Sequence, residues 1–269
     1  MHFLAQPPTL RNYFLRTPPM KTELLKAIKW RYKRLKQLLK IRSLTFNKHS
    51  LDLKGVKICL GDHLSDNIKE AILGGYYESA ELQMIESKLT KEDGVMEIGT
   101  GIGFISTYCA TQIGSNKIYT YEANPALESH IRKNYELNDV SPSLEICLLS
   151  DKEGEQPFYV EKDFWSSSMI RRSQSAKEII IPMRVLNDEI LRLNPSFLII
   201  DIEGGEHTIF KFIDFHNIKK ISIELHTSIL GEQKISDIKN KINSFGFKID
   251  KNISNVIAEF KEELYFDKV

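Results

Sequence analysis

Val95-Met96-Glu97-Ile98 opens a series of short apolar runs that end on an acid. Ile118–Tyr121 runs into Glu122, Phe197–Ile200 into Asp201, and Ile221–Ile223 into Glu224. Runs of this length predict strands buried on both faces, and helical periodicity between them predicts parallel crossovers. Ile105–Ile113 reads as a helix closed by Gly114. Asn124-Pro125 supplies a cap and a first-turn proline for a helix whose inner face is Leu127, Ile131 and Tyr135. Gly204-Gly205 turns into a helix through Ile213. A later helix aligns Ile235, Ile238, Ile242 and Phe245 on one side and stops at Gly246. Strand and helix alternate, so the expected fold is a doubly wound, Rossmann-like α/β sheet.

Other segments complete that outline. Glu78–Leu89 is a helix with Leu82, Ile85 and Leu89 in register, Leu144–Leu149 one strand, and Asp188–Leu193 a short helix. Ile179–Val185 is a strand interrupted at Pro182. Phe247–Ile249, Val256–Phe260 and Leu264–Phe266 read as closing antiparallel strands. Upstream, Ser43–Phe46 and Val56–Leu60 flank a turn near Lys48 and His49. Lys21–Arg42 reads as a basic amphipathic helix, with Leu25, Ile28, Tyr32, Leu35 and Leu39 on one face and lysines elsewhere. The expected organisation is a basic helical extension over 1–43, a short-strand lead-in over 44–76 and the α/β domain over 77–269.

An open parallel sheet binds its ligand beyond the carboxyl ends of its strands. Here nearly every strand delivers a carboxylate to that rim, which suits hydroxyls, amines or a cation and disfavours bare phosphates. The loop Gly99-Thr100-Gly101-Ile102-Gly103 sharpens the point, because Phe104 stands where a dinucleotide loop needs its last glycine. Glu97 before the loop would repel a diphosphate. Glu122, about 20 residues past the glycines, holds the place where an acid takes ribose hydroxyls. S-Adenosylmethionine, with an ammonium, a sulfonium and a ribose diol but no phosphate, is the cofactor these residues fit. A tight strand-to-helix turn with no ligand is the bland alternative.

Charge adds a second feature. Residues 1–43 hold eleven Lys or Arg against one acid, Glu23, a balance of +10; the chain as a whole is +1, which leaves −9 for the rest. The basic segment 21–42 is open to three readings: peripheral contact with an anionic membrane, contact with nucleic acid, or packing on its own domain. The acidic remainder disfavours a long phosphate track, and so nucleic acid as the substrate. No apolar run nears the about 18 residues of a membrane span. Cys59, Cys109 and Cys147 are odd in number and far apart, which fits neither a disulfide framework nor a zinc site. The expected location is the cytoplasm, with contact at the inner membrane face if the basic helix binds lipid.

From Tyr77 to His226 the chain resembles the FkbM-type S-adenosylmethionine-dependent methyltransferases. The resemblance rests on Glu97 to Gly103, on Glu122-Ala123-Asn124-Pro125, on Ser150-Asp151, on Asp201-Ile202-Glu203-Gly204-Gly205-Glu206 and on Glu224-Leu225-His226. Glu97, Thr100-Gly101 and Ala123 depart from the family's usual residues. The resemblance implies a seven-stranded methyltransferase fold and O-methylation, often of a sugar or natural-product hydroxyl, here a saccharide or related metabolite that the basic helix would suit if lipid-linked. It assigns Glu97, Gly99, Thr100, Gly101, Gly103, Glu122, Ala123, Asn124, Ser150, Asp151 and Asp201 to the cofactor.

Catalysis then requires an aligned acceptor and a group to take its proton. Asp201, Glu203 and His226 are the expected catalytic residues, and Glu206 is a further base candidate that equally serves its helix dipole. A divalent ion on Asp201, Glu203, Glu224 and His226 is a second use of the same groups. Strand-end acids more often bind hydroxyls or cofactor, so no metal ligand is assigned. Phe164 to Met169 with Arg171-Arg172 is a candidate lid, with the arginines as an anion clamp. A non-catalytic module that binds a nucleoside-type ligand is the remaining alternative.

Overall fold

In the computed structural model, the described residues are Tyr32, 50–61, 64–161, 167–169, 171–257 and 261–269. Apart from Tyr32, which is helical and exposed, all lie in the unit Asn47–Val269. The rest of the basic 21–42 segment, the strand expected at Ser43–Phe46, the turn near Lys48-His49 and Phe164-Trp165-Ser166 fall outside the described residues.

The main sheet is mixed. Its order is β11 (Phe247–Ile249), β13 (Lys261–Lys268), β10 (Lys220–Leu225), β9 (Phe197–Ile200), β3 (Val95–Ile98), β4 (Ile118–Glu122) and β5 (Ser143–Ile146), and short β12 (Asn255–Ile257) also pairs with β13. From β10 to β5 neighbours are parallel, whereas β13 runs antiparallel to β10, β11 and β12. The chain leaves β3 towards β4 and β5, then returns to its other side with β9 and β10. The join between β3 and β9 is therefore the topological switch point, where open sheets bind ligands.

Each central strand is buried on both faces, which explains its unbroken apolar run. Val95, Phe197 and Ile199 face a core shared with α2 (Ser79–Lys88) and α3 (Phe104–Ile113). Met96, Ile98, Leu198 and Ile200 face a core shared with α5 (Leu186–Leu193), α6 (Glu206–Phe212), the short α7 (Thr227–Leu230) and α8 (Glu232–Ser244). At the amino-terminal edge, Asp93 is buried and accepts from Thr90, Ser196 and Lys220, tying the entrances of β3, β9 and β10 together.

The lead-in forms a hairpin, β1 (Ser50–Leu53) with β2 (Val56–Cys59), turning at Lys54-Gly55, where both residues have positive φ. β2 docks on α4 (Glu128–Leu137) through Cys59 N–H to Asn134 Oδ1 at 2.7 Å and Lys57 N–H to Asn138 Oδ1 at 2.8 Å. The hairpin, α1 (Asp66–Gly74) and Tyr77 all contribute to the core behind β3.

Four expectations need correction. Leu144–Leu149 is not one strand: at Cys147 the chain leaves the main sheet, and β6 (Leu148–Ser150) pairs instead with β8 (Lys177–Val185). Cys147 N–H still bonds Glu122 C=O at 3.0 Å, marking the bend. β8 is not interrupted at Pro182. It pairs with β7 (Gly154–Val160) from Lys177 to Met183, Pro182 included, while β6 reaches only Met183–Val185, so no third strand needs the missing N–H. Phe245 is 37% exposed and lies past the end of α8, since Ile235, Ile238 and Ile242 already fill its inner face. The helix expected from Glu78 begins at Ser79, with Glu78 held at φ 45° just before it.

Candidate active site

Register builds the centre of the site. Ile98 of β3 and Ile200 of β9 are direct neighbours, so Gly99 and Asp201 leave the sheet side by side, and Asp201 N–H bonds Ile98 C=O at 3.0 Å. A Cβ on Gly99 would lie 1.7 Å from the Asp201 carbonyl oxygen, and φ there is 89°. Only glycine lets the two chains cross at this distance. Gly103, with φ 77°, likewise sits where a Cβ would press on Ile131 and Tyr135.

The loop is fastened by acids. Glu122 Oε2 accepts from Gly101 N–H at 2.9 Å and its Oε1 from Asn124 N–H at 2.7 Å. The carboxylate also lines the cavity, within reach of a ligand hydroxyl. Burial pushes the Glu122 carboxyl up to about 7, against the opposing pull of those amides. Asn124 caps the following turn through Ala126 N–H. Glu97 is buried behind the loop, where Thr100 Oγ1 donates to its Oε2, and burial pushes it up to about 8.

A cavity of about 950 Å³ lies above the switch point. Among the expected site residues, Gly99, Gly101, Glu122, Ala123, Ser150, Asp151, Asp201, Glu203 and His226 line it, whereas Glu97, Thr100, Gly103 and Asn124 do not and instead shape its floor from behind. Seven carboxylates line the cavity against three Lys or Arg. That volume is at the upper end of the roughly 300–1,000 Å³ typical of small-molecule sites, which leaves room for two ligands.

His226 follows β10 and gathers carboxylates from two strand ends and the next helix. Its Nδ1 lies 2.5 Å from Glu206 Oε1, and its Nε2 lies 3.1 Å from Glu224 Oε1, 3.2 Å from Glu203 Oε2 and 3.9 Å from Asp201 Oδ1. Burial opposes a charge on this ring, but the hydrogen bonds it donates to Glu203, Glu206 and Glu224 prevail and hold it well above the usual imidazole range. Glu224 is held below the usual carboxylate range: burial opposes this, and His226 and Lys261 outweigh it. Asp201 is raised well above that range by burial and by Glu224. Its Oδ1 has no hydrogen-bond partner among the described residues. Asp201, Glu203 and His226 each offer one ligand atom, all within 4.8 Å of one another, so the donor set for a cation is also present.

One contributor lay outside the sequence reading, and another takes a different part from the one expected. Lys261, on antiparallel β13, bonds Glu224 at 2.5 Å and lines the cavity. Its signal was weak, because Lys261-Glu262-Glu263 is a charged run that reads as a solvated lead-in to the apolar Leu264–Phe266. Arg172, expected as an anion clamp, instead grips Glu203 at 3.1 Å. Tyr77 and Glu78 also line the cavity. Ser150 and Asp151 bond each other at 3.1 Å where β6 ends.

The family model for the methyltransferase FkbM domain matches residues 97–249, more than half of the sequence. The chain therefore belongs to the FkbM methyltransferase family, and methyl transfer is its general chemistry. None of the curated proteins matches it. Similar solved structures include a methyltransferase from Pyrococcus furiosus, at 12% identity and TM-score 0.47, covering 88% of this chain and 98% of that one. The precorrin-6y C5,15-methyltransferase of Geobacter metallireducens GS-15 has 12% identity and TM-score 0.45, covering 71% and 87%. The tRNA (uracil-54, C5)-methyltransferase of Pyrococcus abyssi, in complex with S-adenosyl-L-homocysteine, has 13% identity and TM-score 0.46, covering 81% and 44%. No helix among the described residues is long and apolar enough to cross a membrane.

Proposed function

We propose that the protein is an S-adenosylmethionine-dependent O-methyltransferase whose acceptor is a hydroxyl of a saccharide or related metabolite. The observation that carries this reading is the ring of strand-end carboxylates around one cavity at the switch point. The residues fit the donor. Glu122 offers lone pairs to a ribose diol, and Gly99 and Gly101 let a ligand come close to the backbone. A dinucleotide would need its diphosphate at the amino end of α3, where Phe104 stands in place of the last glycine of a dinucleotide loop.

Bound there, S-adenosylmethionine supplies an activated methyl group; the acceptor oxygen forms the new C–O bond, the S–C bond breaks with its electron pair left on sulfur, and one proton is released. Asp201 is the group placed to take that proton. Its Oδ1 accepts no hydrogen bond from the described residues, and its raised proton affinity brings it nearer the range of an effective base. His226 has both ring nitrogens engaged by carboxylates, so its part is to hold Glu203 and Glu224 in place around Asp201.

A labelled methyl-donor assay on extracted glycans and glycolipids tests this. Wild type should label a hydroxylated acceptor. Asp201→Asn should keep donor affinity and lose on the order of 10²–10⁴ in rate. Unchanged turnover in Asp201→Asn would remove it from the mechanism, and label appearing only in RNA or DNA would replace the acceptor class. Loss of turnover on adding a chelator, restored by magnesium, would convert Asp201, Glu203 and His226 into a metal site.

A further inference from the structure

Glu203 occupies a costly conformation. It is not glycine, yet its φ is 51°, and Gly204 follows at 94°. A left-handed residue with a side chain is strained and persists only where its surroundings over-determine it. Two contacts do so here. Gly204 lies against Ile229, where a Cβ would be 2.8 Å from Cγ2. Arg172 holds Glu203 at two points: Nη1 bonds the side-chain Oε2 at 3.1 Å, and Nη2 donates to the Glu203 backbone carbonyl.

Arg172 is itself fixed. Its N–H and those of Ser173 donate to Glu161, at the end of β7: Arg172 N to Oε1 at 3.2 Å, Ser173 N to Oε1 at 2.9 Å and Ser173 Oγ to Oε2 at 2.5 Å. Side chains of Arg172 and Glu203 are 25% and 23% exposed, which separates this pair from a freely solvated surface bridge. Nearby, Met169 Cε lies 3.4 Å from where a Cβ on Gly205 would stand, so the segment carrying Arg172 also covers the Asp201–Gly205 loop.

We infer that Arg172 is a positioning residue: its two-point grip keeps Glu203 turned towards His226 Nε2, and so keeps the carboxylate cluster around Asp201 assembled for methyl transfer. The catalytic part of this inference rests on the proposed function; the grip itself does not. The planar guanidinium is what the geometry requires, since an ammonium cannot bond the side chain and carbonyl of one residue with the same fixed fork.

The test compares wild type, Arg172→Ala and Arg172→Lys in the full chain. Nitrogen-15 NMR of the His226 ring, identified by its loss in His226→Gln, needs no turnover. Arg172→Ala should shift the Nε2 resonance, which faces Glu203, and leave Nδ1, held by Glu206, in place. With a labelled acceptor in hand, kcat should fall on the order of tenfold to a hundredfold, with donor affinity unchanged within about twofold. Lysine should recover only part of that loss. An Nε2 signal identical to wild type overturns the grip. A shifted signal with unchanged kcat, or full rescue by lysine, overturns the positioning role. The expected Nε2 shift in Arg172→Ala, together with a wild type that methylates no acceptor, would count against the proposed function and leave the grip standing.

Discussion

At the scale of single residues, the account depends most on Gly99. No other side chain fits where β3 and β9 leave the sheet, because the Asp201 carbonyl would be 1.7 Å from a Cβ. Gly99→Ala should therefore add about 1–2 kcal/mol of backbone strain, with a steric clash on top. A lower melting temperature and lost donor binding should appear together, and an alanine variant that melts and binds like wild type would refute the close crossing. The acids at the strand ends were legible in the sequence, since each closes an apolar run. Glu97 was legible as an acid but not as one behind the loop, because burial depends on which way a carboxyl turns. Arg172 and Glu203, 31 residues apart and outside regular elements, carry no spacing that reveals their pairing.

Among the elements, the parallel core was readable because buried strands and their crossover helices leave distinct periodicities. The switch at Cys147 was not. Ile146-Cys147-Leu148-Leu149 is one apolar run, and nothing in it marks where one sheet ends and another begins. Strand order was equally hidden, so the sequence could place acids at a rim without saying that Gly99 and Asp201 would be neighbours. At the opposite edge, Asp93 clamps three strands. Burial works to raise its carboxyl, but Lys220, Ser196 and Thr90 prevail and hold it below its ordinary value of 3.8. The stability this contributes is present above 3.8 and is lost as pH falls through the lower value of the folded protein. Asp93→Asn should lower stability by about 1–3 kcal/mol near neutral pH. In acid denaturation its gap from wild type should close as Asp93 becomes protonated. A gap that stays constant into strong acid would show that Asp93 is not the group titrating.

For the whole molecule, the sheet gathers seven carboxylates around one cavity and offers them three Lys or Arg in return. Burial has already pushed Glu122 up to about 7, and burial together with the neighbouring Glu224 has raised Asp201. A positively charged donor supplies what is missing, and a diphosphate deepens the deficit. Calorimetric titration of the full chain near neutral pH, with S-adenosylmethionine and separately with a nicotinamide dinucleotide, tests that most directly. The sulfonium donor should bind once per chain, on the order of tenfold to a hundredfold more weakly in Glu122→Ala, and the dinucleotide should give no heat of binding. Tight binding of the dinucleotide, with none of the sulfonium donor, would contradict the account.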